Sequence, residues 1–357
     1  MEKVRVAIIG MGQIAKVAHL AEYAKRDDVE IVGFVDAELA RVEQFARSFA
    51  RDSGRPVPHV YASLEDLLVN DQVDAVSVCT PNTTHAHYAL QVLEHGLHLL
   101  VEKPMTVSLA DAQRLQEAAE KSDRVAMVGL SHRFRDDVTA IKRFVDAGDL
   151  GQVYYAKTRI LRRRGTPKGW FTHRQVSGGG PLMDIGVHAL DLAWWLMGQP
   201  QVKTVSGFLT QGIGNDNVDF IGTWTPLSTG NERNQVFDTE DFAAAFIRFT
   251  NGSVLQLEVA WEVNGPQDDA LKVELFGTKG GISLDPLAFY GTSHGVLTTV
   301  HSEVGMGPLF QREIDHFVEC VKTGQHPLSD VRQGRDVVQM LEMIDRSSQE
   351  GRELTAP

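Results

Sequence analysis

The sequence predicts two domains of different fold class: an α/β domain with a doubly wound parallel sheet, then an α+β domain with a large, mainly antiparallel, open-faced sheet. In the first third of the chain, short apolar runs alternate with helical stretches, which is typical of parallel sheets covered by helices. After about residue 130, longer strands and hairpin turns replace this alternation. The chain has 357 residues, enough for two cores. We place the domains at residues 1–130 and 131–357, with the final helices able to pack back on the first domain.

A glycine-rich turn follows the first predicted strand. Residues 4–9 are apolar and β-branched, and Gly10-Met11-Gly12-Gln13-Ile14-Ala15 opens a helix that continues to about residue 25. In this pattern the first glycine permits the tight turn, the second lets the backbone approach a pyrophosphate, and the small third residue lets helix and strand pack closely. The pyrophosphate would lie at the amino terminus of the helix. The residues that we expect to contact a dinucleotide here are Gly10, Gly12, Gln13 and Ile14.

An acidic residue ends the second predicted strand. Residues 30–35 form that strand, and Asp36 follows it, 24 residues after Gly12. A carboxylate at about this distance binds the ribose hydroxyls of NAD, and it disfavours the 2′-phosphate of NADP. Arg41 is the first basic side chain after it, but Glu38 adds opposing charge. We therefore predict NAD as the cofactor; the alternative is that Asp36 caps the following helix.

Two further strands end in polar motifs. Residues 73–79 and 97–101 have the composition of buried strands, and residues 124–130 form one more. Because ligands of doubly wound sheets bind outside the carboxyl ends of the strands, polar residues at these ends are candidate cofactor contacts. These residues are Thr80, Pro81, Asn82, His85, Glu102 and Lys103.

Composition and charge exclude several classes of partner. The formal net charge of −12 argues against nucleic acid and anionic membranes. No apolar run is long enough to span a bilayer, and the amino terminus lacks a signal-peptide pattern. Cys79 and Cys320 form neither a disulfide framework nor a metal-binding pattern, and the histidine pairs between residues 85 and 98 lack companion ligands. We therefore expect a cytoplasmic protein with no metal site and no nucleic-acid or membrane partner.

Turn sequences organise the second domain. The predicted strands are residues 153–161, 241–250, 253–261, 271–276 and 282–284, and the predicted helices are residues 135–147, 310–323 and 329–349. Asn251-Gly252 is a strong hairpin signal, and residues 277–281 form a second turn. Residues 226–240 are polar and lack periodicity, so we predict a loop there, either a lid or plain surface.

The predicted antiparallel sheet has a candidate subunit interface. Helices cover one face of such a sheet, and an apolar open face is a typical contact between subunits. We expect the open face to carry Phe242, Phe246 and Leu257 or their alternates, in a homo-dimer or homo-tetramer. Pattern alone does not decide which face is open.

A second glycine-rich stretch opens a helix with a polar face. Gly178-Gly179-Gly180-Pro181 precedes an apolar helical run that stops at Gly198. Asp184 and His188 lie four residues apart on one face, where the carboxylate can orient the imidazole. A glycine between them, Gly186, indicates that another element packs closely there. The alternative interpretation is a buried structural histidine beside a helix-face aspartate.

A basic cluster follows the strand at residues 153–161. Arg162-Arg163-Arg164 and Lys168 stand out in an acidic chain. They could bind an anionic group of the substrate, serve the cofactor phosphates or make a subunit contact. We favour a structural role over substrate binding.

Together these motifs carry a family resemblance. Residues 10–15, Thr80-Pro81-Asn82, Glu102-Lys103-Pro104 and the helix with Asp184, His188 and Asp191 occur in the order found in the glucose-fructose oxidoreductase, inositol dehydrogenase and rhizopine-catabolism family (Gfo/Idh/MocA). The chain resembles this family of NAD(P)-dependent oxidoreductases over nearly its whole length. In that family the lysine, aspartate and histidine of these motifs form the catalytic group, which implies Lys103, Asp184 and His188 here.

The resemblance also implies a substrate and a reaction. It implies hydride transfer from a ring secondary alcohol of a sugar, glycoside or cyclitol to NAD. His188 would take the hydroxyl proton, Asp184 would hold a hydroxyl, and Lys103 would stabilise alkoxide charge or share the proton transfer. The implied substrate contacts are Lys103, His132, Arg133, Arg162, Trp170, Asp184 and His188. Many members carry Asn near Ser131-His132-Arg133-Phe134, so this chain departs from the family there.

Two other functions remain open at this point. Some relatives retain NAD and hydrolyse glycosides through transient oxidation and elimination. Others are regulators that bind a dinucleotide without turnover, and these tend to lose the catalytic lysine or histidine. This chain keeps both residues, which favours an enzyme.

Overall fold

The structure is a computed structural model that describes residues 3–214, 236–266, 268 and 270–357. These residues divide into two compact units. The first contains residues up to Gly129 together with Phe310–Asp336. The second contains the rest, including Val337–Pro357.

The first unit is built on a six-stranded sheet in which every strand pair is parallel. Its strands are β1 (Val4–Ile9), β2 (Val29–Val35), β3 (His59–Tyr61), β4 (Ala75–Val78), β5 (His98–Glu102) and β6 (Ala126–Gly129). The order across the sheet is β3-β2-β1-β4-β5-β6, which places the topological switch between β1 and β4. Ligands of such sheets bind at the carboxyl ends beside this switch. Sequence analysis predicted five of these strands and missed the three-residue β3.

Helices connect these strands and cover them with apolar side chains. They are α1, with a π-helical stretch Ala15–Leu20 and an α-helical turn Ala21–Tyr23, then α2 (Leu39–Ser53), α3 (Leu64–Asn70), α4 (His85–Glu94) and α5 (Leu109–Ser122). Ile8, Val76 and Leu99 in the sheet are fully buried. The run of β-branched and aliphatic residues that predicted the strands is therefore the core of this unit.

The second unit contains a nine-stranded, mainly antiparallel sheet. Its strands are β7 (Val153–Leu161), β8 (Val202–Thr210), β9 (Phe242–Phe249), β10 (Val254–Ala260), β11 (Lys272–Gly277), β12 (Gly281–Leu284), β13 (Leu287–Ser293), β14 (Val296–His301) and β15 (Leu354–Thr355). Their order is β14-β13-β12-β11-β7-β10-β9-β8-β15. Both predicted hairpins are confirmed as antiparallel pairs, β9 with β10 and β11 with β12. The pair of β7 with β10 is parallel.

The remaining helices are α6 (Asp136–Asp146), α7 (Arg174–Ser177), α8, with a π-helical stretch Leu182–Gly186 followed by Val187–Leu196, then α9 (Leu309–Thr323) and α10 (Val331–Glu350). Helix α8 is apolar nearly all round, and Leu190, Leu192 and Leu196 are fully buried. An all-round apolar helix lies inside a core, so α8 is the central helix of the second unit.

The register of β9 and β10 decides which side chains share a face. Gln256 lies opposite Phe246, and Leu257 lies opposite Ala245. Leu257 and Ala245 are buried, whereas Phe242 and Phe246 are partly exposed. The expected set of open-face residues therefore mixed two faces: Phe242 and Phe246 share the more exposed face, and Leu257 belongs to the buried one.

Three further expectations concern the loop at residues 226–240, membrane-spanning helices and metal sites. Of the predicted loop at residues 226–240, residues 226–235 lie outside the described residues, and residues 236–240 have no helix or strand. Within the described ranges, no helix is both long and apolar enough to cross a membrane. The same part of the chain has no group of three or more metal-ligating side chains arranged to hold an ion.

Candidate active site

The glycine-rich turn of the first unit fits a dinucleotide. Gly10 has a φ of +87°, and a Cβ there would lie 2.8 Å from the backbone nitrogen of Thr80. This close approach requires glycine. A Cβ on Gly12 would have no protein atom within 4 Å, so the backbone faces open space at the point where the fingerprint needs room for a pyrophosphate.

Asp36 lies beside this turn. Its Oδ2 accepts a hydrogen bond from the backbone nitrogen of Met11 at 2.8 Å, and its Oδ1 accepts one from Glu38 at 2.8 Å. Helix α2 begins at Leu39, so Asp36 is not its N-cap residue. Arg41 pairs with both Asp36 (3.2 Å) and Glu38 (2.8 Å). Arg41, the first basic side chain after Asp36 in the chain, is therefore already engaged by two carboxylates.

His85 connects the two polar loops that follow β4 and β5. Its ring is buried, with Nε2 lying 2.8 Å from the carbonyl oxygen of Thr80 and Nδ1 lying 2.7 Å from that of Pro104. Burial lowers the pKa of His85, although both carbonyl contacts oppose that change. The structure therefore gives His85 a positioning role; its direct contact with a cofactor stays a prediction.

Glu102 belongs to a buried polar network beneath Lys103. One carboxylate oxygen lies 2.8 Å from His19 Nε2, and the other accepts the backbone N–H of Lys103 at 3.1 Å. His19 Nδ1 lies 3.1 Å from Ser77 Oγ, which Tyr23 OH also contacts at 2.8 Å. Burial raises the pKa of Glu102, but the hydrogen bond and charge of His19, with Lys103, outweigh burial and bring the pKa below its usual value. The network fixes the backbone that carries Lys103.

A second buried carboxyl group faces this network from α9. Glu313 is 1% exposed, and within the described residues its Oε1 has no hydrogen-bond partner. Burial, and then the negative charge of Glu102, raise the pKa of Glu313 well above its usual value. Burial and the neighbouring carboxylate of Glu102 therefore favour the protonated form of Glu313.

In the second unit, α8 carries the predicted Asp184 and His188. Helical dihedrals begin at Pro181, and Gly198 ends the helix with a φ of +85°, as predicted. The turn that carries Asp184 is π-helical rather than α-helical, a feature common at functional sites. A Cβ on Gly186 would lie 3.2 Å from Val259 Cγ2 of β10 and 3.2 Å from the carbonyl oxygen of Pro181, a tight approach that favours glycine. The helix therefore packs closely on the sheet.

Two residues that sequence analysis did not single out position this helix. Trp261, fully buried at the end of β10, donates from Nε1 to Asp184 Oδ2 at 3.0 Å. Glu240 accepts hydrogen bonds at Oε1 from the backbone nitrogens of Gly180 (2.9 Å) and Leu182 (3.3 Å). A carboxylate at a helix amino terminus binds unpaired N–H groups and complements the dipole. Neither contact has a signal in the local sequence, because the partners lie far apart along the chain.

The 3₁₀ turn Ser131–Phe134 contacts α8. The rings of His132 and His188 lie edge to face, with centroids 4.6 Å apart. The Arg133 side chain is fully buried and forms a bidentate ion pair with Asp191, at 3.0 and 2.5 Å. Burial raises the pKa of Asp191, and the charge of Arg133 opposes that rise. The buried Arg133 guanidinium thus faces Asp191, while a substrate contact of Arg133 stays a prediction.

Comparison with known proteins agrees with this geometry. Residues 4–130 match the description "Oxidoreductase family, NAD-binding Rossmann fold", and residues 138–283 match "GFO/IDH/MocA C-terminal domain". The chain is 32% identical to D-glucoside 3-dehydrogenase of Escherichia coli K12, over 97% of this chain and 96% of the relative. It is 27% identical to scyllo-inositol 2-dehydrogenase (NAD(+)) of Bacillus subtilis 168, over 91% and 88%.

The chain belongs to the Gfo/Idh/MocA family. Its fold is also that of aldose-aldose oxidoreductase from Caulobacter crescentus, at 24% identity with a TM-score of 0.79, over 99% of this chain and 100% of the other. The predicted family and fold class are confirmed. The chain is an oxidoreductase whose first unit is an NAD-binding Rossmann domain.

The basic cluster that follows β7 mainly contacts neighbouring backbone and side-chain groups. Arg164 donates to the carbonyl oxygen of Val263 at 3.4 Å and to Asn264 Oδ1 at 3.1 Å. Arg162 Nη1 lies 3.5 Å from the carbonyl oxygen of Gly165. Trp170 stacks on the neighbouring Phe171, with centroids 4.1 Å apart. These contacts support the structural interpretation of Arg164, while substrate contacts of Arg162 and Trp170 stay predictions.

Proposed function

We propose that this oxidoreductase transfers a hydride from a ring secondary alcohol of a sugar, glycoside or cyclitol to NAD. The observation that carries the proposal is the full-length similarity to D-glucoside 3-dehydrogenase together with the retention of Lys103, Asp184 and His188. The inositol dehydrogenase relative supports the same substrate class. A polyol ring with several equivalent hydroxyls needs side chains that select one of them.

His188 is the proposed base. An imidazole can take a proton near neutral pH, and Asp184 lies four residues before it on α8. The hydrogen bond from Trp261 holds one carboxylate oxygen of Asp184, so Asp184 accepts a substrate hydroxyl through its remaining lone pairs. Lys103 stabilises the alkoxide charge that develops as the proton leaves. NAD, when bound, supplies the hydride acceptor.

The residues proposed to hold NAD lie at the carboxyl ends of the first sheet. They are Gly10, Gly12, Gln13, Ile14, Asp36, Thr80, Pro81, Asn82, Glu102 and Lys103. The space in front of Gly12 and the carboxylate of Asp36 support this assignment. We also infer a homo-dimer or homo-tetramer through the open face of the second sheet.

A substrate screen tests the reaction class. Methyl D-glucosides, free aldoses and cyclitols are incubated with the purified chain and NAD, and the absorbance of reduced cofactor is followed. We expect steady NADH formation with at least one of them. Release of an aglycone without net NADH would instead establish the NAD-retaining glycosidase, and NAD binding without either product would indicate a regulator.

Substitution of Lys103 tests the catalytic group. Lys103→Met should lower kcat by about 10²-fold or more, the usual scale for one positioned acid–base group. The dissociation constant for NADH should change less, because glycine-turn contacts remain. The exposed Lys121→Met on α5 is the matched control. Near-normal turnover of Lys103→Met would refute the assignment.

A further inference from the structure

The 3₁₀ turn Ser131–Phe134 meets α8 at two neighbouring points. Arg133 makes its buried, bidentate ion pair with Asp191. One residue earlier, His132 lies against His188, with ring centroids 4.6 Å apart and ring planes at 67°. Since His188 and Asp191 are three residues apart, they lie on one face of α8. Two adjacent residues of the turn thus contact two residues of the same helical face.

We propose that His132 is a positioning residue for His188 and that the Arg133–Asp191 ion pair sets the register in which the two rings meet. This inference rests on the proposed function, in which His188 is the base. A base must hold its accepting nitrogen within hydrogen-bond reach of the hydroxyl. The terminal torsion of a histidine side chain is broad, so an unsupported imidazole samples several ring orientations. An edge-to-face ring at 4.6 Å restricts that rotation.

His132 also has a polar contact with Arg135, the residue that follows the turn. Arg135 Nη1 lies 3.4 Å from His132 Nδ1, and the same guanidinium forms an ion pair with Asp137 at 2.6 Å. A guanidinium only donates hydrogen bonds, so in this contact Nδ1 of His132 is the acceptor. A chain of contacts therefore runs from the charged Arg135 through His132 to His188. These contacts fix both the position and the orientation of the His132 ring.

A double-mutant cycle tests this proposal with methyl D-glucoside and NAD as reactants. His132→Ala should lower kcat by about 3- to 10-fold, the scale of one edge-to-face ring pair, with little change in KM or in NADH affinity. His132→Phe keeps a ring and should restore most of kcat. In a His188→Ala background, His132→Ala should have no further effect, because the ring that it positions is absent. An equal loss in both backgrounds would show that His132 acts on the substrate directly.

An activity-independent measurement separates this inference from the proposed function. In the full chain labelled with ¹⁵N-histidine, ring nitrogen shifts report which nitrogen of His188 carries the proton, and His188→Ala assigns its signals. We expect one tautomer in the wild type and in His132→Phe, and a mixture in His132→Ala. Unchanged His188 signals in His132→Ala would overturn the inference. If His132→Ala alters the His188 signals but His188→Ala retains full turnover, His132 positions the His188 ring and His188 is not the base.

Discussion

At the scale of single residues, we predict that Asp36 controls the choice between NAD and NADP. Its carboxylate is held by the backbone nitrogens of Met11 and Glu38, and Arg41 is paired with Asp36 and Glu38. A 2′-phosphate would bring like charge to Asp36, and Arg41 would have to leave two partners to compensate. We expect NADH to bind about 10- to 100-fold more tightly than NADPH, the scale of a lost charge-assisted hydrogen bond.

Dissociation constants for both reduced cofactors test this prediction. Asp36→Ser should weaken NADH and improve NADPH binding, while Asp52→Ser, on an exposed part of α2, should change neither. Equal affinity of the wild type for the two cofactors would show that Asp36 does not select between them.

Glu313 gives a second prediction at this scale, concerning stability and pH. Its folded-state pKa is raised by burial and by Glu102, so the folded protein favours the protonated form of Glu313 more than the unfolded chain does. Stability from such a group is complete below its unfolded pKa and is lost as pH rises toward the folded pKa. Glu313→Gln keeps the shape without the ionisable proton. The variant should therefore gain stability relative to wild type as pH rises from about 5 to 8.

Urea unfolding at several pH values measures this difference. Glu319→Gln is a matched control on the same helix, because its side chain is exposed. If the difference in unfolding free energy between Glu313→Gln and wild type does not change with pH, Glu313 ionises normally.

At the scale of elements, the amino terminus of α8 depends on a glycine pair that packs against Glu240. A Cβ on Gly180 would clash with the backbone carbonyl oxygen of Glu240, whereas a Cβ on Gly179 would meet the flexible side chain of Met183, at 2.8 Å. The backbone at Glu240 cannot move aside, whereas the flexible side chain of Met183 can. We expect Gly180→Ala to lower the free energy of unfolding by about 2–3 kcal/mol, and Gly179→Ala by about 1 kcal/mol or less.

Chemical denaturation of both variants, with kcat measured beside it, tests the role of this terminus. Because Asp184 lies in the first turns of α8, Gly180→Ala should also lower kcat. Equal stability of the two alanine variants would argue against tight packing on Glu240.

At the scale of the whole molecule, the open sheet face predicts self-association. Phe208 of β8 is 58% exposed and lies 6.4 Å from the ring of Phe242, on the same face as Phe246. An apolar group of this kind on a sheet face is a typical homo-oligomer contact. Phe208→Glu should shift the protein from dimer or tetramer to monomer in sedimentation velocity without loss of secondary structure. Val69→Glu, at a position on α3 of the other unit that is 85% exposed, should leave the mass unchanged.

The amino-acid sequence by itself determined five of the six strands in the first unit, the glycine turn, the place of Asp36 directly after β2 and the Asn251-Gly252 hairpin. These features depend on neighbouring residues: turn chemistry, apolar periodicity and helix ends act over a few positions. The hairpin between β13 and β14 was not predicted, because its turn sequence, His294-Gly295, is a weak signal. Both residues have positive φ in the structure.

Only the tertiary structure decided how α8 is supported and which sheet face is open. Three contacts involve α8 or its amino terminus: Trp261 with Asp184, Glu240 with Gly180, and Arg133 with Asp191. In each contact the two residues are more than fifty positions apart in the sequence. No local pattern marks such partners, since a carboxylate, an indole or a guanidinium looks the same in sequence whether it faces solvent or a buried group. Burial makes these contacts matter: a polar group removed from water must find a partner, and folding alone brings that partner within reach.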